Sequence, residues 1–495
     1  MENKNVFIAI ALSMSVLLFW SAFFETPKQG DNNSFTNTNN QKKIETSNNI
    51  TPNINETVVT KKISREESIK NVKRIKIENK SIVGSISLKG GLIDDVSFKK
   101  HKKDLKNYEN VIFLNPKETI DGYYVETGWT SIGNKINVPT IDSNWKVDGN
   151  KILSKNQPVT LKWNNGKGII FKKIIELDDK YLFKISQVVE NNSKNPVDLY
   201  PYAQITRNKI PDDIQNFYIS HEGFIGVFDD ELKEDDYDDV EEKKITRESN
   251  SGWLGITDKY WMTALVPENG KNFKSTFLYN ETFKANYIIN KPTTIKPSSS
   301  NSNEVRLFVA AKEVDTVDTY AADQKIEKLD LVIDWGWFYF FTKPLFFIID
   351  YLFKISGNFG IAIVLITIGI RLLFFPLANY SFRSMAKMKA LQPEMVRLKE
   401  LHKDDKVKLQ QEMMALYKKE KVNPASGCLP VLIQIPFFFA IYKMLFISLE
   451  MRHQPFFGWI KDLSAQDPTS LFNAFGLIPW DPPSFLIIGI WPILM

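Results

Sequence analysis

The sequence of 495 residues is poor in cysteine and histidine, and each shortage excludes a class of protein. Cys428 is the single cysteine, so no internal disulfide is possible. The four histidines lie far apart in the sequence and show no metal-ligand spacing; they are His101, His221, His402 and His453. Gly-rich phosphate-binding motifs are also lacking. We therefore expect neither a metal nor a nucleotide cofactor.

Concentrated basic charge is lacking too. Lysine and arginine number 63 against 58 acidic residues, and an acidic run at 229–242 offsets the scattered lysines. Nucleic-acid-binding proteins usually gather their basic residues on one face or in one run. We therefore expect no nucleic-acid partner.

What the chain does contain is an uneven distribution of apolar residues. The first two thirds are polar and rich in Asn, Lys and Ile, whereas the last third is crowded with Phe, Ile and Leu. The average composition is that of a soluble protein, but the last third alone has that of a membrane protein. The pattern predicts a membrane protein with a large water-exposed insertion.

The N-terminal part begins with an apolar run at 6–24, about 19 residues, close to what a tilted helix needs to cross a bilayer. A cleaved signal peptide is the alternative, but the run is longer than a signal peptide's and lacks a small-x-small cleavage pattern. We interpret residues 1–24 as a transmembrane anchor with a cytoplasmic N-terminus, because Lys4 precedes the run and Glu25 follows it. The Asn-rich residues 25–60 are expected to form a disordered linker.

Residues 61–332 show short alternating apolar and polar runs, such as those at 81–88 and 168–175. Turn sequences such as Lys89-Gly90-Gly91 and Asn164-Asn165-Gly166 separate the runs. No period of 20 to 50 residues repeats, which argues against a solenoid. The pattern predicts a large β-sandwich domain.

The last third alternates apolar and polar segments in a way that predicts membrane helices. Pro344 is expected to break a spanning helix in the first aromatic segment, which favours an amphipathic helix lying in the membrane interface. Lys443 is close enough to the far end of a later span to snorkel. The predicted segments are an interfacial helix at 333–356, a second transmembrane span at 357–377, a cytoplasmic hairpin at 378–427, a third span at 428–448, a periplasmic loop at 449–483 and the start of a fourth span at 484–495.

The predicted hairpin is helical because its apolar residues recur every three or four positions, and Asp404-Asp405 separates its two helices. Its apolar positions include Met385, Met388, Leu391 and Met413. Methionines suit adaptable contacts with varied partners, but a solvated hairpin that uses them only for packing is a second interpretation. Excess Lys and Arg in this segment indicate the cytoplasmic side, which places the aromatic loop and the β domain in the periplasm.

Arg371 lies inside the second predicted span, and the sequence leaves two interpretations open. It is near enough to the cytoplasmic end to snorkel, but charges within a span are costly in lipid and are usually functional. Thr367 precedes it by four residues and shares its helix face. Gln434 and Tyr442 share a face of the third span, where they favour a hydrated groove or serve as polar contacts between helices.

The C-terminal part resembles the YidC-type membrane protein insertases of Gram-negative inner membranes. The motifs that carry the resemblance extend over residues 358–495 and are highly specific together, whereas motif support in the β domain is thin. They are the residues from Arg371 to Pro376, Ser384-Met385-Ala386-Lys387-Met388, Leu391-Gln392-Pro393, Gln411 to Tyr417, Lys421-Val422-Asn423-Pro424, Gly427-Cys428-Leu429-Pro430, Gln434-Ile435-Pro436 and Trp459 to Pro468.

The resemblance implies an α-helical insertase bundle with a large periplasmic β-sandwich (supersandwich) domain. It implies a non-enzymatic insertase without cofactors that holds a hydrophilic, positively charged groove. The implied partners are nascent integral membrane proteins, the Sec translocon, membrane lipids and, as an open case, the ribosome. The implied groove residues are Arg371, Thr367, Gln434, Ile435, Pro436, Phe438 and Tyr442. Family members normally complete the fourth span and add two more, so we expect this chain to be truncated at its C-terminus.

Three alternatives remain open from the residues alone. A secondary transporter typically needs paired repeats or interrupted helices, and neither is visible here. A membrane-anchored periplasmic enzyme or carbohydrate-binding protein would use residues such as His101 or His221, for which no partner carboxylate can be assigned from sequence. A scaffold that binds translocon partners through its β domain is the third.

Overall fold

The structure is a computed structural model of the chain. It describes residues 62–105, 108–132, 136–212, 214, 220–403, 405–420, 422, 429–465, 470–476, 478, 480 and 489. The predicted anchor and linker, as well as Cys428 and Asp404, lie outside the described residues.

Strands dominate the first part of the described chain, in agreement with the predicted β-sandwich. The run predicted at 168–175 forms strand Ile169–Leu177, and Gly166 before it has a φ of +73°. Gly90 and Gly91, with φ of +76° and +62°, make the turn between the second and third strands. Positive φ is strained for other residues, so both turns need glycine.

The twenty strands of the described part have the following bounds: β1 Arg74–Glu78, β2 Ile82–Ser87, β3 Leu92–Lys102, β4 Asn110–Leu114, β5 Tyr123–Thr130, β6 Lys146–Asp148, β7 Ile152–Leu153, β8 Val159–Asn164, β9 Ile169–Leu177, β10 Leu182–Asn191, β11 Val197–Arg207, β12 Gly223–Phe228, β13 Glu231–Asp235, β14 Ile245–Ser249, β15 Gly252–Thr257, β16 Trp261–Val266, β17 Phe273–Asn280, β18 Thr282–Ile289, β19 Thr293–Ile295 and β20 Ser299–Ala311.

The strands form two sheets. The first has 11 strands in the described residues, in the order β14-β17-β18-β11-β5-β3-β2-β1-β7, with β19 paired to β11 and β4 to β3. The second has 9 strands, in the order β13-β12-β15-β16-β20-β10-β9-β8-β6. Neighbouring strands are antiparallel except for β1 and β7. Strands such as β9 alternate buried and half-buried residues, which is the pattern of a strand with one face on a core.

The core of the domain lies between the sheets and is rich in aromatic residues. Its largest fully buried side chains include Phe98, Phe171, Phe224, Trp253, Tyr287 and Phe308. Full burial of a Phe side chain contributes roughly 1.5–3 kcal/mol relative to exposure. The domain therefore has a core large enough to fold without a disulfide.

The helices of the described part are mostly C-terminal to the sheets. Their bounds are α1 Arg65–Asn71, α2 Tyr237–Glu242, α3 Val314–Asp323, α4 Tyr339–Ser356, α5 Phe359–Ala390, α6 Gln392–Leu401, α7 Lys406–Lys419 and α8 Leu429–Ile447, with 3₁₀ turns at Leu329–Val332, Leu449–Met451 and Leu471–Gly476.

Two prolines lie inside helices, and one of them, Pro344, was expected to break its helix. Pro344 does not break α4, which begins five residues before it and continues to Ser356, so that expectation was wrong. Pro376 lies within α5, which continues past the predicted boundary at 377 to Ala390. Each proline removes one backbone hydrogen bond, but the residues on both sides retain the apolar spacing of a helix. The polar segment after the apolar part of α5 is therefore a continuation of the same helix.

The hairpin that follows consists of α6 and α7, joined by residues 402–405. Asp405 caps α7, because its carboxylate accepts a hydrogen bond from the backbone N–H of Lys408 at 3.0 Å. The Tyr417 hydroxyl lies 3.8 Å from the sulfur of Met395, which brings the two helices together side by side.

Candidate functional site

Two helices in the described residues, α5 and α8, are long and apolar enough to cross a membrane. Only 11% of the most apolar window of α5 and 28% of that of α8 is buried inside the protein alone. An apolar surface of this length is unfavourable in water, and its composition matches the hydrocarbon core of a membrane.

The two helices pack side by side in opposite directions. The rings of Phe374 in α5 and Phe437 in α8 lie 5.0 Å apart. At one end, the Asn358 side chain before α5 donates to the carbonyl of Phe456, which follows α8, at 3.3 Å. The start of α5 thus lies near the chain that leaves α8, so the pair is antiparallel. We call this the domain end of the pair and the opposite end, near Ala390 and Leu429, the hairpin end.

Arg371 and Gln434 lie on the same side of this pair. Arg371 precedes Phe374 by three residues, and Gln434 likewise precedes Phe437. At about 100° per residue, each polar side chain is rotated about 60° from its contacting ring, in the same sense. Because the helices are antiparallel, equal rotations bring both side chains to one side of the pair. The rise per residue separates them by about 9 Å along the pair.

The predicted residues of α8 divide between two faces. Phe438 and Tyr442 are rotated about 100° and 140° from Phe437 in the same sense as Gln434, and both are exposed. Ile435 lies beside them and is 53% exposed. Pro436 is rotated about 100° in the opposite sense, so the helix does not bring it together with the others. The surface formed by Arg371, Gln434, Phe438 and Tyr442 is called the Arg371 side below.

Arg371 itself is exposed, at a level along the pair between those of Phe438 and Tyr442. In the described part of the chain it makes no hydrogen bond or ion pair. Thr367 lies one turn nearer the domain end, and its hydroxyl donates to the carbonyl of Ile363 at 2.7 Å. The threonine is therefore satisfied within its own helix, whereas the guanidinium is available to a ligand or to water.

The predicted hairpin residues are mostly used for packing. Met388, Leu391 and Met413 are half-buried, whereas Met385 is 37% exposed. The apolar side chains most exposed on α6 and α7 are others: Val396, Leu401, Val407 and Met414. The three-and-four spacing identified the inner face of the hairpin, so it could not identify these outer residues.

The domain end of α8 is joined to the β domain by contacts that sequence reasoning missed. The Lys443 ammonium donates to the Asp334 carboxylate at 2.7 Å, and this lysine is only 3% exposed. Lys443 was expected to snorkel to water, and that expectation was wrong, because its ammonium is buried in an ion pair with Asp334. Beyond α8, the Arg452 guanidinium donates to the carbonyls of Lys102 and Lys103 at 2.6 and 2.9 Å. No local signal could have found these partners, which lie 109 and about 350 residues away.

Glu450 adds a titratable group to this junction. Its Oε1 accepts from the backbone N–H of Val314, the first residue of α3, at 2.9 Å. Its Oε2 is shielded from solvent and has no hydrogen-bond partner among the described residues. Burial raises the pKa of Glu450 to about 7.

The two histidines considered as catalytic have structural partners in the β domain. His101 pairs with Glu313 at 3.1 Å. Burial alone would raise the pKa of the Glu313 carboxyl, but the hydrogen bond from His101 contributes to a net lowering of that pKa to about 2. His221 contacts the carbonyl of Phe224 at 2.9 Å and the Asp236 carboxylate at 3.3 Å. Neither pair lies on the Arg371 side. Among the described residues, no group of His, Cys, Asp and Glu could hold a metal ion.

Comparison with known proteins connects this architecture to a class. The family described as "YidC periplasmic domain" matches residues 74–348, and the family described as "60Kd inner membrane protein" matches residues 351–495. A membrane protein insertase YidC of Pelagibacter ubique is 53% identical, with coverage of 100% of this chain and 88% of that relative. The same protein of Rickettsia conorii is 45% identical, with 99% and 88% coverage.

A solved structure is also similar. A crystal structure of an active YidC insertase covers 80% of this chain and 77% of that chain at 19% identity, with a TM-score of 0.29. The sequence matches define the class: an inner-membrane protein with a periplasmic β domain and an insertase-type helical part. Within that class, the chain belongs to the YidC family of membrane protein insertases.

Proposed function

We propose that this chain inserts integral membrane proteins into the bacterial inner membrane, along a groove formed by the Arg371 side. The observation that carries the groove is the placement of Arg371 and Gln434 on one side of the antiparallel pair. A cation and an amide on one surface of two apolar helices hold water or polar chain segments within the membrane. A wet surface there shortens the hydrocarbon path that a client's polar residues must cross.

Arg371 supplies the attraction in this proposal. A guanidinium remains protonated in proteins, so the charge is permanent. It transiently binds an acidic or polar tail while the apolar segment of the client enters lipid. Burial of that apolar segment drives insertion. Phe438, Tyr442 and Ile435 present apolar and aromatic surface to the client beside the charge.

The topology belongs to the same proposal. The basic residues Arg383, Lys387, Lys389, Arg397 and Lys399 lie at the hairpin end, which favours the cytoplasm. The domain end and the β domain then lie in the periplasm. The exposed aromatic residues of α4 and the turn before it, including Trp337, Tyr339 and Tyr351 at 92%, 63% and 64% exposure, suit the lipid headgroup zone. Nascent membrane proteins are the proposed partners, with the Sec translocon and the ribosome as further ones.

Photo-cross-linking tests the location of the groove. A photoreactive residue at Phe438 should cross-link to an arrested client during insertion. The matched control is Leu432, which is also apolar and 59% exposed but is rotated about 140° away from Phe437 in the opposite sense. Cross-links from position 438 and none from position 432 are expected. Equal cross-linking from both positions would mean that clients contact the helix without using the Arg371 side.

A further inference from the structure

Lys443 lies next to Tyr442 in α8 but faces another way. Tyr442 is 50% exposed, whereas Lys443 is 3% exposed. Successive side chains of a helix point about 100° apart, so Tyr442 and Lys443 lie on different surfaces of α8. Tyr442 lies on the Arg371 side, and Lys443 lies on the surface that contacts the β domain. The orientation of one residue therefore fixes that of the other.

Asp334, the partner of Lys443, is held in place by the β domain and by its own loop. Its Oδ2 accepts from the Lys443 ammonium at 2.7 Å and from the backbone N–H of His221 at 3.2 Å. Its Oδ1 accepts from the backbone N–H of Gly336 at 3.0 Å. Three donors on one carboxylate leave it little freedom.

Gly336 lets the loop approach Lys443 closely. Its φ is +72°, and a Cβ at this position would lie 3.2 Å from the Cε of Lys443. A side chain there would be strained and would crowd the aliphatic stem of the lysine. The Asp334 loop is thus shaped around Lys443.

Other contacts at the domain end also join α8 and the residues after it to the β domain. The Lys259 ammonium lies 3.6 Å from the centre of the Phe446 ring, and Arg452 and Glu450 bind the β domain beyond α8. Among the charged residues of this set, Lys443 is the one that is buried and lies within α8, the helix that also carries Gln434, Phe438 and Tyr442 of the Arg371 side.

We propose that the Asp334–Lys443 ion pair positions α8 so that the Arg371 side is closed at its periplasmic end. The proposal rests on the proposed function, because it concerns the same surface. An ammonium without its carboxylate is costly to keep buried, since its desolvation is no longer compensated. It regains water only if α8 rotates or separates from the loop, and either movement admits periplasmic water to the pair.

Cysteine labelling in the whole protein tests the proposal. Cys428 is replaced by serine and Phe438 by cysteine, and a membrane-impermeant maleimide is applied from either side. The parent should be labelled from the cytoplasm and not from the periplasm. Asp334→Asn should raise periplasmic labelling several-fold, because it leaves the buried ammonium without its carboxylate. Lys443→Met removes that ammonium and should raise labelling less, whereas Lys443→Arg should leave it low. Lys354→Met is the control, because it removes a lysine from the exposed Lys354–Asp350 pair in α4.

The outcomes separate this proposal from the function on which it rests. Periplasmic labelling that stays at the parent level in Asp334→Asn overturns the role of the ion pair while leaving the groove intact. Absence of cytoplasmic labelling in the parent contradicts the groove itself. If Lys443→Met does not accumulate, Asp334→Asn decides, because asparagine keeps the size of the side chain and an acceptor for Gly336. Equal opening by Lys354→Met would show that loss of any nearby charge suffices, which also rejects the proposal.

Discussion

Arg371 and Lys443 are cations in two antiparallel apolar helices, and they differ in what surrounds them. Lys443 is enclosed and bound to Asp334, whereas Arg371 is exposed and makes no ion pair in the described part of the chain. A paired, buried cation fixes structure, and an exposed one on the helix surface remains free to act on a ligand. We therefore propose separate roles for the two residues, positioning for Lys443 and attraction for Arg371.

Glu450 gives the junction a dependence on pH. Its pKa rises from an ordinary 4.5 to about 7 on folding, so the folded state binds the proton more tightly than the unfolded state. Its contribution is therefore most favourable below pH 4.5 and is lost as the pH rises towards 7. Glu450→Gln removes the buried charge and keeps an oxygen for the Val314 N–H. At pH 8 the variant should be more stable than the parent, by on the order of 3 kcal/mol.

Thermal unfolding in detergent, measured for parent and variant at pH 5 and pH 8, checks this prediction. The difference between the two proteins removes the effect of all groups that they share. Parent and Glu450→Gln curves that stay parallel from pH 5 to pH 8 would show that Glu450 has an ordinary pKa.

At the residue scale, helical spacing predicted that Gln434 and Tyr442 share a face, because such spacing is local, and a charge within an apolar span drew attention to Arg371. Phe438 and Pro436 were both carried by the resemblance, and Pro436 lies on another face. Sequence patterns also missed the pairing of His101 with Glu313, which is 212 residues away. Such pairs depend on how sheets and helices meet, and no local period encodes that.

At the scale of elements, the hairpin is an extension of a membrane helix followed by two shorter helices. α5 passes through Pro376 and ends at Ala390, and α6 and α7 then fold back on each other. Asp405 was predicted to help separate the two helices, and it does so as the cap of α7. The predicted end of the span at 377 rested on polarity, which records where the apolar surface stops and not where the helix stops.

We predict that the hairpin is needed for insertion and not for the folding of the membrane helices. Replacing residues 392–420 by a short Gly-Ser linker keeps α5 complete and should strongly reduce insertion of a model client. Protease protection of the remaining protein should be unchanged. Insertion at the parent level after this deletion would refute the prediction.

A finer variant distinguishes a contact surface from simple packing. Val396→Ser with Met414→Ser changes exposed side chains and should weaken insertion while α6 and α7 remain helical. Leu416→Ala instead removes a buried side chain and should destabilise the hairpin by about 2–5 kcal/mol. If the serine variant inserts the client normally, the exposed apolar residues Val396 and Met414 do not bind clients.

At the scale of the whole molecule, the β domain and the helical part meet at the domain end of α8. The β domain was predictable because alternating runs and glycine turns recur along it, and its sheets bury one continuous core. The order of the strands was not, because β11 pairs with β5, β18 and β19 across long separations. The junction could not be predicted either, because it joins Lys102 and Val314 to residues after α8 that are far away in the sequence.

We predict that the β domain is largely dispensable for basic insertion. Removal of residues 61–312 leaves Val314 and Asp334, the partners of Glu450 and Lys443, in the chain. It removes the other junction partners, namely the His221 N–H that binds Asp334 and the Lys102 and Lys103 carbonyls that bind Arg452. Cells that depend on the shortened protein should grow. Complete loss of insertion, with the shortened protein present in the membrane, would contradict this.

The role of Arg371 as a positive charge in a wet groove is tested most directly with two clients that differ only in the charge of the translocated tail. Arg371→Ala should weaken insertion of the acidic client and largely spare the neutral one, whereas Arg371→Lys should keep much of the activity for both. Protease protection of each variant serves as the folding control. Equal losses for the two clients in Arg371→Ala would show that the arginine anchors its helix and that the groove does not attract clients by charge.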